Sequence, residues 1–150
     1  MKRLSFMFAA FLVTFSSLAL ATDGLVVTKS AHSVAVTMDR VETLAKQRNF
    51  AVIARINFAA GAARIGKALR PTELLIFGNP QAGAAFMQCA QTAAIDLPLK
   101  VLIWEDESAQ VWLGYNDPEY LARRHGVAQC SVVNNIHKEL ADLAEAALVP

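Results

Sequence analysis

This chain has little of what most functional classes need. Its 150 residues carry 14 Lys and Arg against 13 Asp and Glu, so no excess of one sign exists to steer a polyelectrolyte partner. No basic stripe is present, which removes the electrostatic footprint of nucleic-acid binding. The only histidines are His32, His125 and His137, and none stands at i, i+4 from a second ligand as a helical zinc site requires. The two cysteines, Cys89 and Cys130, are far apart and form no C-x-x-C pair. Ser30 and Ser33 lack a G-x-S-x-G frame, so a hydrolase elbow is not indicated. The one G-x-x-x-x-G match, Gly61 to Gly66, runs into Lys67-Ala68 where a phosphate loop needs Lys-Ser or Lys-Thr. No D-x-D-x-D-G spacing makes a calcium loop of the acidic residues, and no motif asks for a cofactor.

What is present begins with an export pattern. Lys2 and Arg3 precede an apolar run from Leu4 to Leu20, and Ala19-Leu20-Ala21 forms an A-x-A site. Residues 1–21 are therefore expected to be a cleaved signal peptide, with Thr22 first in the mature chain and a periplasmic or secreted location. No later run is long enough to span a bilayer, so no membrane association is expected after cleavage. The remaining residues, 22–150, suit one domain, which at this size buries about two thirds of its unfolded surface. In an oxidising compartment an even cysteine count favours pairing, and a Cys89–Cys130 disulfide is expected.

The pattern of elements is mixed. LVVTKS (Leu25 to Ser30) reads as a strand, and Ser33 or Thr37 can cap a helix to about Arg48, with Val34, Met38, Val41, Leu44 and Ala45 on one stripe. Asn49 closes it. FAVIARINF alternates, which would put Phe50, Val52, Ala54, Ile56 and Phe58 on one side of a strand and Arg55 and Asn57 on the other. A short helix ends near Gly66. Leu74 to Phe77 is a continuous apolar run, the mark of a strand covered on both faces. Asn79 and Pro80 supply a cap and first residue for the helix PQAGAAFMQCAQ. The segment TAAIDLP reads as a linker. VLIW and VWLGY flank the acidic turn Glu105-Asp106-Glu107-Ser108 as a hairpin, and Asp117-Pro118 opens another short helix stopped by Gly126. The C-terminal helix carries Val132, Ile136, Leu140, Leu143 and Ala147 on one face.

Four blocks in this order carry a resemblance: LRPTELLIFGNPQAG, then Ile95-Asp96-Leu97-Pro98-Leu99-Lys100, then VLIWEDE, then YNDPEYLARRHG. The chain from about Leu25 to Leu148 resembles the domain-of-unknown-function family DUF302. That resemblance implies a small α+β domain with an antiparallel sheet, often a homodimer, and no assigned reaction. No catalytic residue comes with it. Together with the element pattern, the expectation is α+β: an antiparallel sheet of about four to five strands with helices packed mainly on one face.

Three functional classes remain. The first is a non-catalytic dimeric module that binds a small apolar or anionic ligand, or a protein partner. Its candidate residues are Asn79 and Gly83, at a helix N-terminus suited to an anion, and Trp104, Trp112 and Tyr115, which lie on adjacent hairpin strands as a possible groove. The second is a small enzyme using Glu105 and Asp106 with a histidine as acid and base. The third is a thiol or metal redox protein using Cys89 and Cys130. No metal site is expected; His32 and His125 with Cys89 are the fallback ligands. A homodimer is expected because LLIF, VLIW and VWLGY carry apolar side chains on both faces, and helices gathered on one face would leave an apolar patch on the other for a second subunit to cover.

Overall fold

The computed structural model describes residues 24–150, so the signal segment lies outside the described residues. Five strands, β1 (Leu25–Ser30), β2 (Ala51–Asn57), β3 (Thr72–Gly78), β4 (Leu99–Glu105) and β5 (Val111–Asn116), form one sheet in the order β1-β5-β4-β3-β2. All neighbours run antiparallel. The helices are α1 (Val34–Gln47), α2 (Phe58–Arg64), α3 (Pro80–Cys89), α4 (Pro118–Arg124) and α5 (Val132–Leu148), with a 3-10 turn at Gln91–Ile95. The α+β class is as expected.

Helix starts follow their caps. Ser33 caps α1 through the Val36 amide, Asn57 caps α2, Asn79 caps α3 and Asp117 caps α4, each spending a side-chain oxygen on first-turn N–H groups that lack helical partners. Asn49 takes positive φ after α1, which lets the chain reverse into β2. Apolar periodicity then decides the docking. Val34, Met38, Val41 and Ala45 of α1 and Leu140, Leu143, Ala144 and Ala147 of α5 pack on Leu75, Phe77, Val101, Ile103, Val111, Leu113 and Tyr115 as one core.

A second cluster joins Phe86 of α3, Ala93, Leu121 and Ala122 of α4, Cys130, and Val133 and Ile136 of α5. Helix α5 thus serves two cores, its N-terminal half in one and its C-terminal half in the other. The Cys89–Cys130 disulfide, with Cα atoms 6.0 Å apart, ties the end of α3 to the segment before α5 within this second cluster.

Several readings change. The alternation expected along FAVIARINF is broken by a bulge between Val52 and Ala54. Val52 pairs with Phe77 while Arg55 pairs with Leu75, so the extra residue Ile53 turns Arg55 and Asn57 toward the helices and Ala54 and Ile56 away from them. Phe58 begins α2 instead of ending β2. In β3 the apolar run is not covered on both sides: Glu73, Leu75 and Phe77 are buried, while Leu74 and Ile76 are only half-buried. The linker TAAIDLP holds all but the first residue of the 3-10 turn Gln91–Ile95, and a cis Leu97–Pro98 bond. On α5 it is Val133, not Val132, that is buried.

Candidate functional site

The bulge matters because it stands at the rim of a cavity. Where β2 begins and β3 ends, about 410 Å3 of space is enclosed by four segments. Phe50, Ala51 and Ile53 come from the start of β2, and Gly78, Asn79, Pro80, Ala82, Gly83 and Met87 from the β3–α3 junction. Ala94, Leu97, Pro98 and Leu99 come from the turn into β4, and Ile136 and Glu139 from α5. The lining is aliphatic and aromatic with few polar groups, the usual make-up of a small-molecule pocket, and the volume falls in the range such pockets occupy.

Asn79 and Gly83 are in this lining, but the anion chemistry expected of them is not available. Asn79 Oδ1 accepts from the Gln81 amide at 2.9 Å and the Ala82 amide at 3.4 Å, and the Gly83 amide donates to the Asn79 carbonyl at 2.9 Å. Pro80 has no N–H. The first turn of α3 therefore has no amide left for an anion.

The aromatic candidates part company. Trp104 and Trp112 are directly paired across β4 and β5 on the sheet face away from α1 and α5. The Trp104 ring lies over Gly114, where an added Cβ would stand 2.9 Å from it, and Lys29 Nζ sits 5.4 Å from the centre of the Trp112 ring. Tyr115 points to the opposite, helix-covered face and is buried there. Burial pushes its phenol pKa up, with Asp117 adding to the shift. No groove unites the three.

The acidic turn has an internal job. Asp106 Oδ1 accepts from the Ser108 amide and hydroxyl and the Gln110 amide, and Asp106 Oδ2 accepts from Trp112 Nε1 at 2.7 Å. The Ser108 and Trp112 hydrogen bonds lead in lowering its pKa to about 2. All of these partners belong to the hairpin, and Glu107 pairs with Arg70. The histidines are engaged elsewhere: His32 with the Val149 carbonyl and Arg40, His137 with Asp117, His125 with Asp96. Glu105, Asp106 and a histidine do not converge. Among the described residues no group of three His, Cys, Asp or Glu could hold a metal, and both cysteines are spent in the disulfide.

One constellation escaped the sequence reading. His125 Nε2 lies 2.6 Å from Asp96 Oδ2, its Nδ1 lies 3.0 Å from Thr92 Oγ1, and Arg124 Nη1 donates to Asp96 Oδ1 at 3.0 Å. Asp96 and His125 are almost wholly buried, so the pair pins the turn before β4 to the end of α4. Thr92 faces solvent and none of the four lines the cavity. The one signal available was that Asp96 and His125 fall in two of the four blocks quoted above. The cavity likewise takes residues from the GNPQAG and DLPL stretches.

A family model for the domain of unknown function DUF302 matches residues 26–147. The chain belongs to the DUF302 family. The crystal structure of an uncharacterized conserved DUF302 protein from Bacillus stearothermophilus superposes with a TM-score of 0.75 at 20% identity, covering 84% of this chain and 99% of that one. This likeness is one of fold. Curated relatives carry a different name. The fluoride-specific ion channel FluC 1 of Brucella suis biovar 1 is 49% identical over 111 residues, 74% of this chain and 44% of that protein. FluC 2 of Brucella melitensis biotype 1 is also 49% identical over 111 residues, 41% of its length. This DUF302 chain spans less than half the length of either. Among its described residues no helix is long and apolar enough to cross a membrane.

Proposed function

We propose that this DUF302 protein is an exported, non-catalytic binding module that works as a homodimer and holds a small apolar ligand in the cavity between β2, α3 and α5. The observation that carries the reading is the cavity itself: mainly apolar, fed by four segments, and among the described residues lined by no histidine, cysteine, serine or threonine, with Glu139 as its one charged group. The disulfide is in keeping with an oxidising compartment. Support for the dimer comes from the sheet face away from α1 and α5, where Leu74, Ile76, Leu102, Trp104 and Trp112 are half-buried and neither core cluster reaches. A symmetric second copy is the simplest cover for such a face. Native mass spectrometry of the protein purified from periplasm tests the parts together. The expected result is a dimer of chains beginning at Thr22 that releases a small organic ligand. A bare monomer, with Trp104→Asp leaving the mass unchanged, would overturn it.

A second reading rests on the Brucella relatives, in which a region like this chain shares a polypeptide with whatever makes those proteins fluoride channels. On that reading the domain is an accessory to a fluoride channel. The cavity is a poor holder of fluoride itself, since a strongly hydrated anion needs convergent donors and, among the described residues, Glu139 is the only charged side chain lining it. Loss of fluoride tolerance on deletion of this domain, with the channel intact, would favour the accessory role.

A further inference from the structure

We infer that the cavity between β2, α3 and α5 selects amphipathic cations, an apolar body with an ammonium end held at Glu139, and discriminates against the matching carboxylates. This rests on the cavity being a binding site and adds the chemical class of its ligand. Three observations lead there. The body of the lining, from Phe50, Met87, Leu97, Leu99 and Ile136, offers a ligand dispersion and exclusion of water but no charge. Among the described residues Glu139 is the single charged residue of the lining, and its carboxylate makes no ion pair or hydrogen bond with any of them. The α3 N-terminus, which would otherwise attract an anion, has its amides consumed by Asn79.

Two cations approach the lining residues, and both are already committed. Lys100 Nζ donates to the Asp96 and Pro98 carbonyls and is absent from the cavity lining. The other is Arg48. Its Nη2 donates to the Asp142 carbonyl at 3.1 Å and its Nη1 to the Glu139 carbonyl at 3.5 Å, so it braces the backbone of α5 and is absent from the cavity lining. Ile136 and Glu139 stand one helical turn apart on α5 and both line the cavity, so an aliphatic body resting on Ile136 brings its end group toward Glu139. An ammonium there meets an exposed carboxylate and gains a charge-assisted hydrogen bond. A carboxylate in the same place meets repulsion and loses hydration with no donor in return.

Titration calorimetry with octylamine, octan-1-ol and octanoate, all at low salt, decides the matter. The amine is expected to bind about three- to tenfold more tightly than the alcohol, and octanoate more weakly than either. Glu139→Gln should bring the amine down to the alcohol while leaving the alcohol unchanged, and Glu139→Lys should reverse the order of amine and carboxylate. Glu139 is exposed, so both variants are expected to fold, which their thermal midpoints check. Equal binding of amine and alcohol, or an order insensitive to Glu139→Lys, would overturn the charge preference and leave the cavity as a binding site. No binding of any of the three would overturn both.

Discussion

The two faces of the sheet are built from alternate residues of the same strands, yet they meet different fates. Toward α1 and α5 stand Leu75, Phe77, Val101, Ile103 and Leu113, each with no exposed surface. Away from them stand Leu74, Ile76, Leu102, Trp104 and Trp112, equally apolar and only half-buried. The difference teaches that hydrophobicity along a strand does not say which face the helices will take. That is settled by connections and by the polar residues at the edge. On the covered face Arg55, delivered by the bulge, reaches Glu73 of β3 and Asp39 and Glu42 of α1. The open face has no comparable network; its fixed points are the Trp104 ring over Gly114 and the Asp106 bond to Trp112.

The comparison is most directly broken by truncating neighbours of opposite orientation. Phe77→Ala should cost about 3–5 kcal/mol, because Phe77 is sealed in the core and its edge-on packing with Phe50, ring centres 5.3 Å apart, is lost. Ile76→Ala should cost only about 1–2 kcal/mol under dilution, as a half-buried side chain leaves little cavity behind. Urea unfolding of both variants measures the gap. If Ile76→Ala grows costlier as protein concentration rises while Phe77→Ala does not, a partner covers the open face.

The helical layer is stapled and the open face is not. Replacing Cys89 and Cys130 together by Ala should cost about 2–4 kcal/mol, with the 41-residue separation favouring the upper end by chain entropy. Chemical unfolding with and without reductant is the check, and the double variant should no longer respond to reductant. A smaller loss is expected for Glu73→Gln, about 1–2 kcal/mol, since Glu73 is buried and accepts from Arg55 Nε at 2.7 Å and Asn57 Nδ2 at 3.3 Å. Burial works to lower the Arg55 pKa, but its bonds to Asp39 and Glu73 outweigh this and raise it, so the guanidinium keeps its charge and would lose a buried partner. Glu73→Gln should therefore lower the thermal midpoint at neutral pH.

The smallest effect belongs to the open face. Asp106 has a folded-state pKa of about 2, below its ordinary 3.8, so its contribution is full above the ordinary value and is lost as pH falls toward about 2. Asp106→Asn should flatten that part of the Tm–pH curve. Near-ultraviolet circular dichroism should report the freed Trp112 in the same variant. An unchanged Trp signal would mean that the indole is held by packing alone.

How much of this was legible depends on how far apart the interacting residues lie. The caps at Asn79 and Asp117 and one at Ser33 or Thr37, the strand cores 25–30, 74–77, 101–104 and 111–115, the stripes on α1 and α5 and the acidic hairpin are local, and local spacing reveals them. The Cys89–Cys130 pairing was legible for a different reason, since two cysteines allow only one intramolecular disulfide. The bulge at Ile53 was not, because an extra residue is invisible until the partner strand sets the register. The split of Tyr115 from Trp112 was legible, since alternation along VWLGY separates them by an odd step, whereas the pairing of Trp104 with Trp112 needed the register of β4 on β5.

By itself, then, the sequence determined the α+β class, the family and most element boundaries, because each depends on short-range periodicity, turn chemistry and motif order. Tertiary structure alone decided that Asn79 and Gly83 line an apolar cavity with Glu139, that Asp96 and His125 form a buried pair, and that one sheet face is left open. Each of these joins residues from distant segments, and contact between distant segments follows from how the whole chain excludes water, which no local window records.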